Sequence, residues 1–397
     1  MSGAVPRDAA DRAAPLIGIV AGETSGDALA ATLIRAVRAR HPGARFAGIA
    51  GPRMQAEGCE AWYPVERLAV RGLVEVIRHL PELVRIRRDV CARLLAARVP
   101  LFVGVDAPDF NLGLEAKLKR RGVRTVHLVS PSVWAWRRER LESMACAVDR
   151  MLALFPFEVP LYESANIPVT YVGHPLAAEA ATAATRREVR VRFRLGASTP
   201  VFALLPGSRA SEIEMHAETV LRTAALIHDA RPDACFLVPL VTRTTREMFD
   251  EVRHRLDLAA LPLTLLYGHA EDALRAADVG LVASGTATLQ AAIARCPHVI
   301  FYRVTRLTGW IVLRKLAVPW VGLPNVLAGR FVVPEFLQQH ATPRNLAQAL
   351  LNLFDDTTTR RRIEALFGEF AERLSADTGG LAADALMTEL RVAGVSA

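Results

Sequence analysis

The 397-residue sequence is poor in cysteine and in lysine, and each scarcity excludes something. Its five cysteines, Cys59, Cys91, Cys146, Cys235 and Cys296, are scattered and odd in number. That argues against a disulfide framework or a zinc site and for reduced, mostly buried thiols. Lysine occurs three times among 49 basic side chains; the rest are arginine, which beside the abundance of alanine reads largely as codon bias. Aromatic residues are 6% of the chain, few stacking platforms for nucleic acid, and no nucleic-acid motif is present, so no nucleic-acid partner is expected. No apolar run approaches the roughly 20 residues that cross a bilayer. Residues 1–14 lack the apolar core and cleavage pattern of a secretory signal and are expected to be a disordered leader. A reducing cytosol is implied, with the protein free or bound to a membrane surface.

What is present is a globular composition, 51% hydrophobic and 23% charged, at a length that suggests two or three domains. The net charge of +8 favours anionic partners such as nucleotides, phosphorylated substrates or an acidic membrane face. Continuous apolar runs at Leu16 to Ala21, Leu101 to Val105 and Val123 to Val129 alternate with helical spacing at Asp27 to Arg38 and Leu114 to Arg121. Such runs indicate a parallel sheet covered on both faces. The pattern breaks near Gly173, His174 and Pro175, and Ala177 to Arg194 reads as a connector or surface helix. A second series follows, with strands at Val201 to Leu205, Cys235 to Pro239, Val279 to Ala283 and His298 to Tyr302 and helices from Leu346 to Leu351 and Arg360 to Leu374. The expectation is an α/β protein of two doubly wound domains, 15–176 and 177–342, with a helical tail, 343–397. Ligands in such sheets sit at the carboxyl ends of strands, so two facing domains would offer a cleft lined by strand-end loops.

Four of these junctions carry chemistry. Ala21-Gly22-Glu23-Thr24-Ser25-Gly26-Asp27 joins the first strand to its helix and suits an oxygen-rich ligand; it is not GxGxxG, and its plain alternative is a turn capped by Ser25 or Asp27. In Asp106-Ala107-Pro108-Asp109-Phe110-Asn111, Asp106 stands at a strand end, where a general base would meet a substrate hydroxyl, while Asp109 reads as a capping or positioning residue. Leu205-Pro206-Gly207-Ser208-Arg209 can bind phosphate through both amides and guanidinium; the alternative is a surface arginine paired with glutamate. Ser284-Gly285-Thr286-Ala287-Thr288 is the stronger nucleotide signal, since a helix opening among hydroxyls can hold a diphosphate without metal. Ser130 to Arg137 adds Trp134 and Trp136, a candidate sugar- or acyl-facing wall whose bland reading is core packing.

Two further stretches combine apolar area with positive charge. Residues 66–98 hold eight arginines against four acids, with Leu73, Val76 and Leu80 among the apolar positions, and residues 301–330 hold five cations and no acid. Either alone is an ordinary helix with a solvated basic face; together they suggest a segment lying on an anionic bilayer.

The motifs AGETSGD (21–27), GIAGPRMQAEGCEAWYPVERLAVRGLVEV (48–76), VGVDAPDFN (103–111), SPSVWAWR (130–137), FPFE (155–158), VGHPL (172–176), LPGSR (205–209), SGTATLQ (284–290) and LPNVLAGR (323–330) occur in that order. Together they closely resemble the lipid-A-disaccharide synthase family. The resemblance implies a GT-B architecture of two Rossmann-like domains, with C-terminal helices crossing back to the first. It implies transfer of 2,3-diacylglucosamine from its UDP derivative to the 6-hydroxyl of 2,3-diacylglucosamine 1-phosphate, giving a β-1,6 disaccharide and UDP. By the same resemblance Asp106 is the base, Arg209 the phosphate-side arginine and Glu23 a further catalytic-site residue. Ser208, Ser284, Gly285, Thr286, Thr288, Gln290 and Asn325 fall on the nucleotide side, and Ser25, Asn111, Trp136, Leu73, Val76 and Leu80 on the acceptor and lipid side. The family pattern ends SGTATLE, so Gln290 replaces a glutamate and loses its charge while keeping an acceptor. No metal or other cofactor is expected, the UDP-sugar being a substrate. Expected partners are the two acylated sugars and the anionic inner face of the bacterial inner membrane, with a homo-oligomer left open. The competing readings are another GT-B sugar-nucleotide enzyme, such as an epimerase or a soluble-acceptor transferase, and a non-catalytic basic lipid-binding protein.

Overall fold

A computed structural model of the chain describes residues 15–395 apart from 69–72, 135–139, 181 and 305–318. The expected leader at 1–14, Trp136 and most of the second basic stretch lie outside the described residues. Two compact units emerge, residues 1–175 with 376–397 and residues 176–375.

The first unit is built on a seven-stranded parallel sheet in the order β3-β2-β1-β4-β5-β6-β7. The strands are β1 Leu16–Ala21, β2 Arg45–Ala50, β3 Cys59–Pro64, β4 Leu101–Val105, β5 Arg124–Leu128, β6 Arg150–Ala153 and β7 Val169–Tyr171. All five residues of β4 are buried, as a central parallel strand requires, and this is why it reads as an unbroken apolar run. One side of the sheet is covered by the helix Thr24–Arg40, through Leu33, Ile34 and Val37, and by the C-terminal helix Thr378–Val392, through Leu386 and Leu390. The other side is covered by the helices Leu73–Ala96 and Pro108–Lys119, through Ile86, Val90, Leu94, Leu114 and Leu118.

The second unit carries a six-stranded parallel sheet, β10-β9-β8-β11-β12-β13. These strands are β8 Val201–Leu205, β9 Cys235–Leu240, β10 Leu263–Tyr267, β11 Val279–Ala283, β12 His298–Tyr302 and β13 Glu335–Leu337. Two expectations are corrected here. Arg186–Arg192 is no surface connector: a Thr185–Glu188 capping box starts it, Val189 is fully buried, and the Arg190 guanidinium donates to the Ala276 carbonyl and Asp278. Of the helices placed in the tail, Pro343–Asp355 and Thr357–Leu374 belong to the second unit, because Leu346, Leu350, Ile363, Phe367 and Phe370 complete its core. Only Thr378–Val392 joins the first.

That last helix is tied in by charge as well as apolar packing. Glu389, 2% exposed, accepts from Arg124 Nε at 2.9 Å and Arg150 Nε at 2.8 Å, on β5 and β6. Its removal takes a carboxylate from two half-buried guanidinium groups, which keep only Asp149 and Thr170, so Glu389→Ala is expected to cost about 2 kcal/mol in urea unfolding followed by circular dichroism. An unchanged midpoint would show that apolar contacts alone hold the helix.

Candidate active site

In a doubly wound sheet the loops diverge where strand order reverses, and ligands bind in that crevice. The reversal lies between β1 and β4 in the first unit and between β8 and β11 in the second. Four of the sequence-derived motifs are the loops at those two points.

In the first unit the β1 loop presents Glu23, half-buried, and the β4 loop presents Asp106, also half-buried. The loops touch: a Cβ on Gly22 would lie 2.0 Å from Ala107 Cβ, so a side chain at position 22 would drive them apart. Asp106 and Ala107 both take left-handed backbone conformations, φ 54° and 43°, which aims the loop away from the strand direction before the helix begins at Pro108. Ser25 is exposed in the first turn of its helix.

Capping does not follow the expected pattern. Asp27 is buried and accepts from the amides of Gly51, Arg53 and Met54, each at 3.0 Å, so it caps the next helix, Pro52–Ala56. Asp109 is exposed and pairs with Arg140 at 2.9 Å. Asn111, placed on the acceptor side, is instead fully buried, and its Nδ2 donates to the Asp106 carbonyl at 2.7 Å. It holds the loop rather than facing an acceptor.

Trp134, read from the sequence as part of a candidate wall, belongs to a larger aromatic cluster whose other members were not singled out. Trp134 meets Phe157 edge-on at 5.4 Å, Phe157 stacks on Phe155 at 5.3 Å, and Phe155 lies 5.5 Å from His174. These residues follow β5, β6 and β7, so the carboxyl edge of the sheet carries an apolar wall, whose sequence signals were the SPSVWAWR, FPFE and VGHPL motifs. Burial pushes the neighbouring Glu158 carboxyl up to about 8, against the lowering effect of hydrogen bonds from Phe155, Ser130 and Leu154.

In the second unit the exposed atoms belong to Ser208, Arg209, Gly285 and Thr286. The LPGSR amides are not open to a phosphate as expected, since those of Ser208 and Arg209 donate to Glu212 Oε2 at 2.9 and 3.2 Å. The Arg209 guanidinium stands half-exposed, 3.8 Å from Glu212. Beneath the loop, His216 Nδ1 donates to the Pro206 carbonyl at 2.7 Å, and its Nε2 lies 3.2 Å from the Arg303 amide. The β11 loop opens the helix Thr286–Ile293 at Gly285, φ 141°, whose following amides are uncapped by any side chain.

Three residues assigned to the nucleotide are otherwise engaged. Thr288 is buried and donates to the Gly285 carbonyl at 2.8 Å, and Ser284 Oγ donates to Val321 O at 3.4 Å. Asn325 is fully buried: its Nδ2 donates to the Val333 carbonyl and Glu335, and its Oδ1 accepts from the amides of Val332 and Val333. Both protons and both lone pairs are used, so the side chain has nothing left for a nucleotide and serves to fix the LPN segment. Gln290 is half-buried, one turn below Thr286.

A cavity of about 730 Å³ in this unit is lined by Arg186, Leu274, Arg295 and Glu364 among several alanines. It opens beside Ala277 and Arg295, at the amino ends of β11 and β12, the edge opposite these loops. Among the described residues no group of three or more His, Cys, Asp or Glu is placed to hold a metal ion.

Solved structures with this fold include the Staphylococcus aureus MnaA–UDP co-structure, at TM-score 0.60 and 12% identity over 96% of this chain and 98% of that one. The calicheamicin glycosyltransferase CalG4 is similar at TM-score 0.57 and 15% identity over 96% and 99%. The fold is therefore the GT-B fold. Within it, a family model described as Lipid-A-disaccharide synthetase matches residues 17–379. The lipid-A-disaccharide synthase of Dechloromonas aromatica is 50% identical over 94% of this chain and 97% of its own length, and that of Neisseria meningitidis serogroup B 48% over 96% and 99%. The chain belongs to the lipid-A-disaccharide synthetase family and is a glycosyltransferase of lipid A biosynthesis, joining two acylated glucosamines.

The raised Glu158 carboxyl sets a pH dependence. Its folded value lies above the ordinary 4.5, so its contribution to stability is complete below that value and is lost as pH rises through about 8. Glu158→Gln, which keeps an acceptor for the Phe155 amide, is expected to raise the melting temperature at pH 8 by several degrees and to flatten its fall from about pH 5 to 8. An unaltered pH slope would mean that Glu158 does not carry it.

Proposed function

We propose that the two switch points divide the reaction between them. The first unit takes the acceptor, 2,3-diacylglucosamine 1-phosphate, and the second takes the UDP end of the donor. Asp106 removes the proton from the acceptor 6-hydroxyl as its oxygen forms a bond to the donor sugar's C1. The bond from C1 to the diphosphate oxygen breaks with its electron pair leaving on UDP. An α-linked donor giving a β product requires this single in-line displacement, with the base on the nucleophile's side. The charge on the departing diphosphate is assigned to the Arg209 guanidinium and to the amides opening the Thr286–Ile293 helix, and no divalent ion is invoked. Glu23, across the crevice from Asp106, is assigned to orienting the acceptor. The observation that carries this reading is the half-exposed Asp106 carboxylate, set at the switch point on a left-handed turn anchored from below.

In this reading Asp106→Asn lowers kcat by about 10²–10⁴-fold with UDP binding retained, and Arg209→Ala lowers it by about 10²–10³-fold. Both are measured with radiolabelled diacyl donor and acceptor. Unchanged product formation in both variants would overturn the residue assignment, and efficient turnover of a water-soluble N-acetylglucosamine acceptor alone would overturn the acceptor class.

The anionic inner face of the inner membrane is the proposed docking surface. Among the described residues no helix is long and apolar enough to cross a membrane. In the helix Leu73–Ala96, Ile86, Val90 and Leu94 are spent on the core, while Leu80, a turn and a half earlier, is 51% exposed. The side chains of Leu73 and Val76 lie outside the described residues. Replacing Leu73, Val76 and Leu80 with serine is expected to lower cosedimentation with phosphatidylglycerol vesicles about tenfold or more and to leave UDP binding intact. An equal loss of UDP binding would point to unfolding and against a membrane role for this face.

A further inference from the structure

The underside of the Asp106 loop holds a second polar group that the transfer reaction, as described, does not use. Glu115, on the helix Pro108–Lys119, and His127, on β5, are both fully buried, with His127 Nδ1 and Glu115 Oε1 2.7 Å apart. The strand pairing makes room for this contact: His127 is opposite Gly104 on β4, and a Cβ at 104 would lie 2.1 Å from Glu115 Oε1 and 3.0 Å from Asn111 Cβ. Glycine inside a central strand weakens it, and here it admits a carboxylate against the backbone. Asn111, one turn before Glu115 on the same helix, holds the Asp106 carbonyl, and the Asp106 amide donates to the Leu128 carbonyl at 2.9 Å, next to His127. Asp106 is therefore reached from below through both elements that carry the pair.

We propose that Glu115 and His127 are positioning residues for Asp106, a buried hydrogen-bonded pair that fixes the helix and strand on which the Asp106 turn rests. The proposal depends on Asp106 being the base. Electrostatics agree with it. Burial alone would lower the affinity of His127 for its second proton, but the charge and hydrogen bond of Glu115, together with the charge of Asp106, outweigh that and raise it. The Glu115 carboxylate and, further off, the Asp106 carboxylate thus favour the proton on the imidazole behind the turn. Neither residue touches a substrate in this scheme; each acts through the carboxylate in front of it.

The test compares Glu115→Gln, His127→Asn and the double variant with Asp106→Asn in the full-length protein. Glu115→Gln keeps the shape and one hydrogen bond but removes the charge. Each single variant is expected to lower kcat about 10- to 100-fold, with acceptor KM within about threefold, UDP binding unchanged and the melting temperature within a few degrees of the parent. The double variant should be no slower than the slower single one, because the two residues act as a unit. If both single variants keep kcat within about twofold while Asp106→Asn is inactive, the positioning role is wrong and the base assignment stands. If Asp106→Asn is itself active, the base assignment fails and this inference with it. A fall in kcat matched by loss of UDP binding and of thermal stability would also overturn the proposal, by showing that the pair serves the fold alone.

Discussion

The hydrogen bond from Asn111 Nδ2 to the carbonyl of Asp106 is the contact on which the geometry of the β4 loop turns. Two successive non-glycine residues in left-handed conformation cost about 1–2 kcal/mol each, against which the Asp106 amide donates to Leu128 and the Ala107 carbonyl accepts from the Phe110 and Asn111 amides. A single buried hydrogen bond contributes only about 1 kcal/mol net, but leaving the Asn111 side-chain amide unpaired in the core would cost more than the bond contributes. The bond to Asp106, at 2.7 Å, is the shortest that this Nδ2 makes, the Val20 and Val105 carbonyls lying at 3.4 and 3.5 Å, and it ties the strained turn to the helix that follows. Strain held in this way points a carboxylate out of the sheet at the one edge where neighbouring loops separate.

The second unit solves the same problem with different groups. Its loops also leave few polar atoms exposed, because the buried ones are already matched: Glu212 takes the LPGSR amides, His216 links Pro206 to Arg303, and Asn325 with Glu335 closes the LPN segment. Glu335 accepts from the Val321 and Gly322 amides at 2.9 and 3.0 Å and so fastens that segment to β13. In the proposed assignment a diphosphate would meet the Arg209 guanidinium and a helix start without a side-chain cap, on loops already held by these bonds, and fixed dipoles are what stabilise developing charge.

The central strands β1, β4, β8 and β11 were legible because parallel strands buried on both faces must be apolar throughout, and that signal survives in a single sequence. The outer strands were not. In β3 only Cys59 is buried, and β10 has no buried residue, so their sequences, CEAWYP and LTLLY, lack a two-sided apolar run. β13 is three residues long and is defined by its neighbour β12 rather than by its own composition. Loop chemistry divides along the same line. The placement of Asp106, Arg209 and Gly285 in loops after β4, β8 and β11 was legible because strand-end position and residue type are local properties. The partners of Asp27 and Asn325, and the pairing of Glu115 with His127, depend on which segments the fold brings together, and no spacing encodes that.

Motif membership alone therefore mixes two kinds of residue, and burial separates them. Asp106, Glu23, Arg209, Gly285 and Thr286 reach solvent and can meet a substrate; Asn111, Thr288 and Asn325 are buried and hold the loops that present them. Gln290 sits at the boundary, half-buried in the helix that opens at Gly285. Replacing the family's glutamate there with an amide leaves an oxygen that can accept from a hydroxyl and removes one negative charge from a helix whose amino end is assigned to a diphosphate. In the proposed assignment the amide can still accept from a hydroxyl, and one negative charge fewer stands in the helix whose amino end is assigned to the diphosphate, so the exchange is compatible with that assignment.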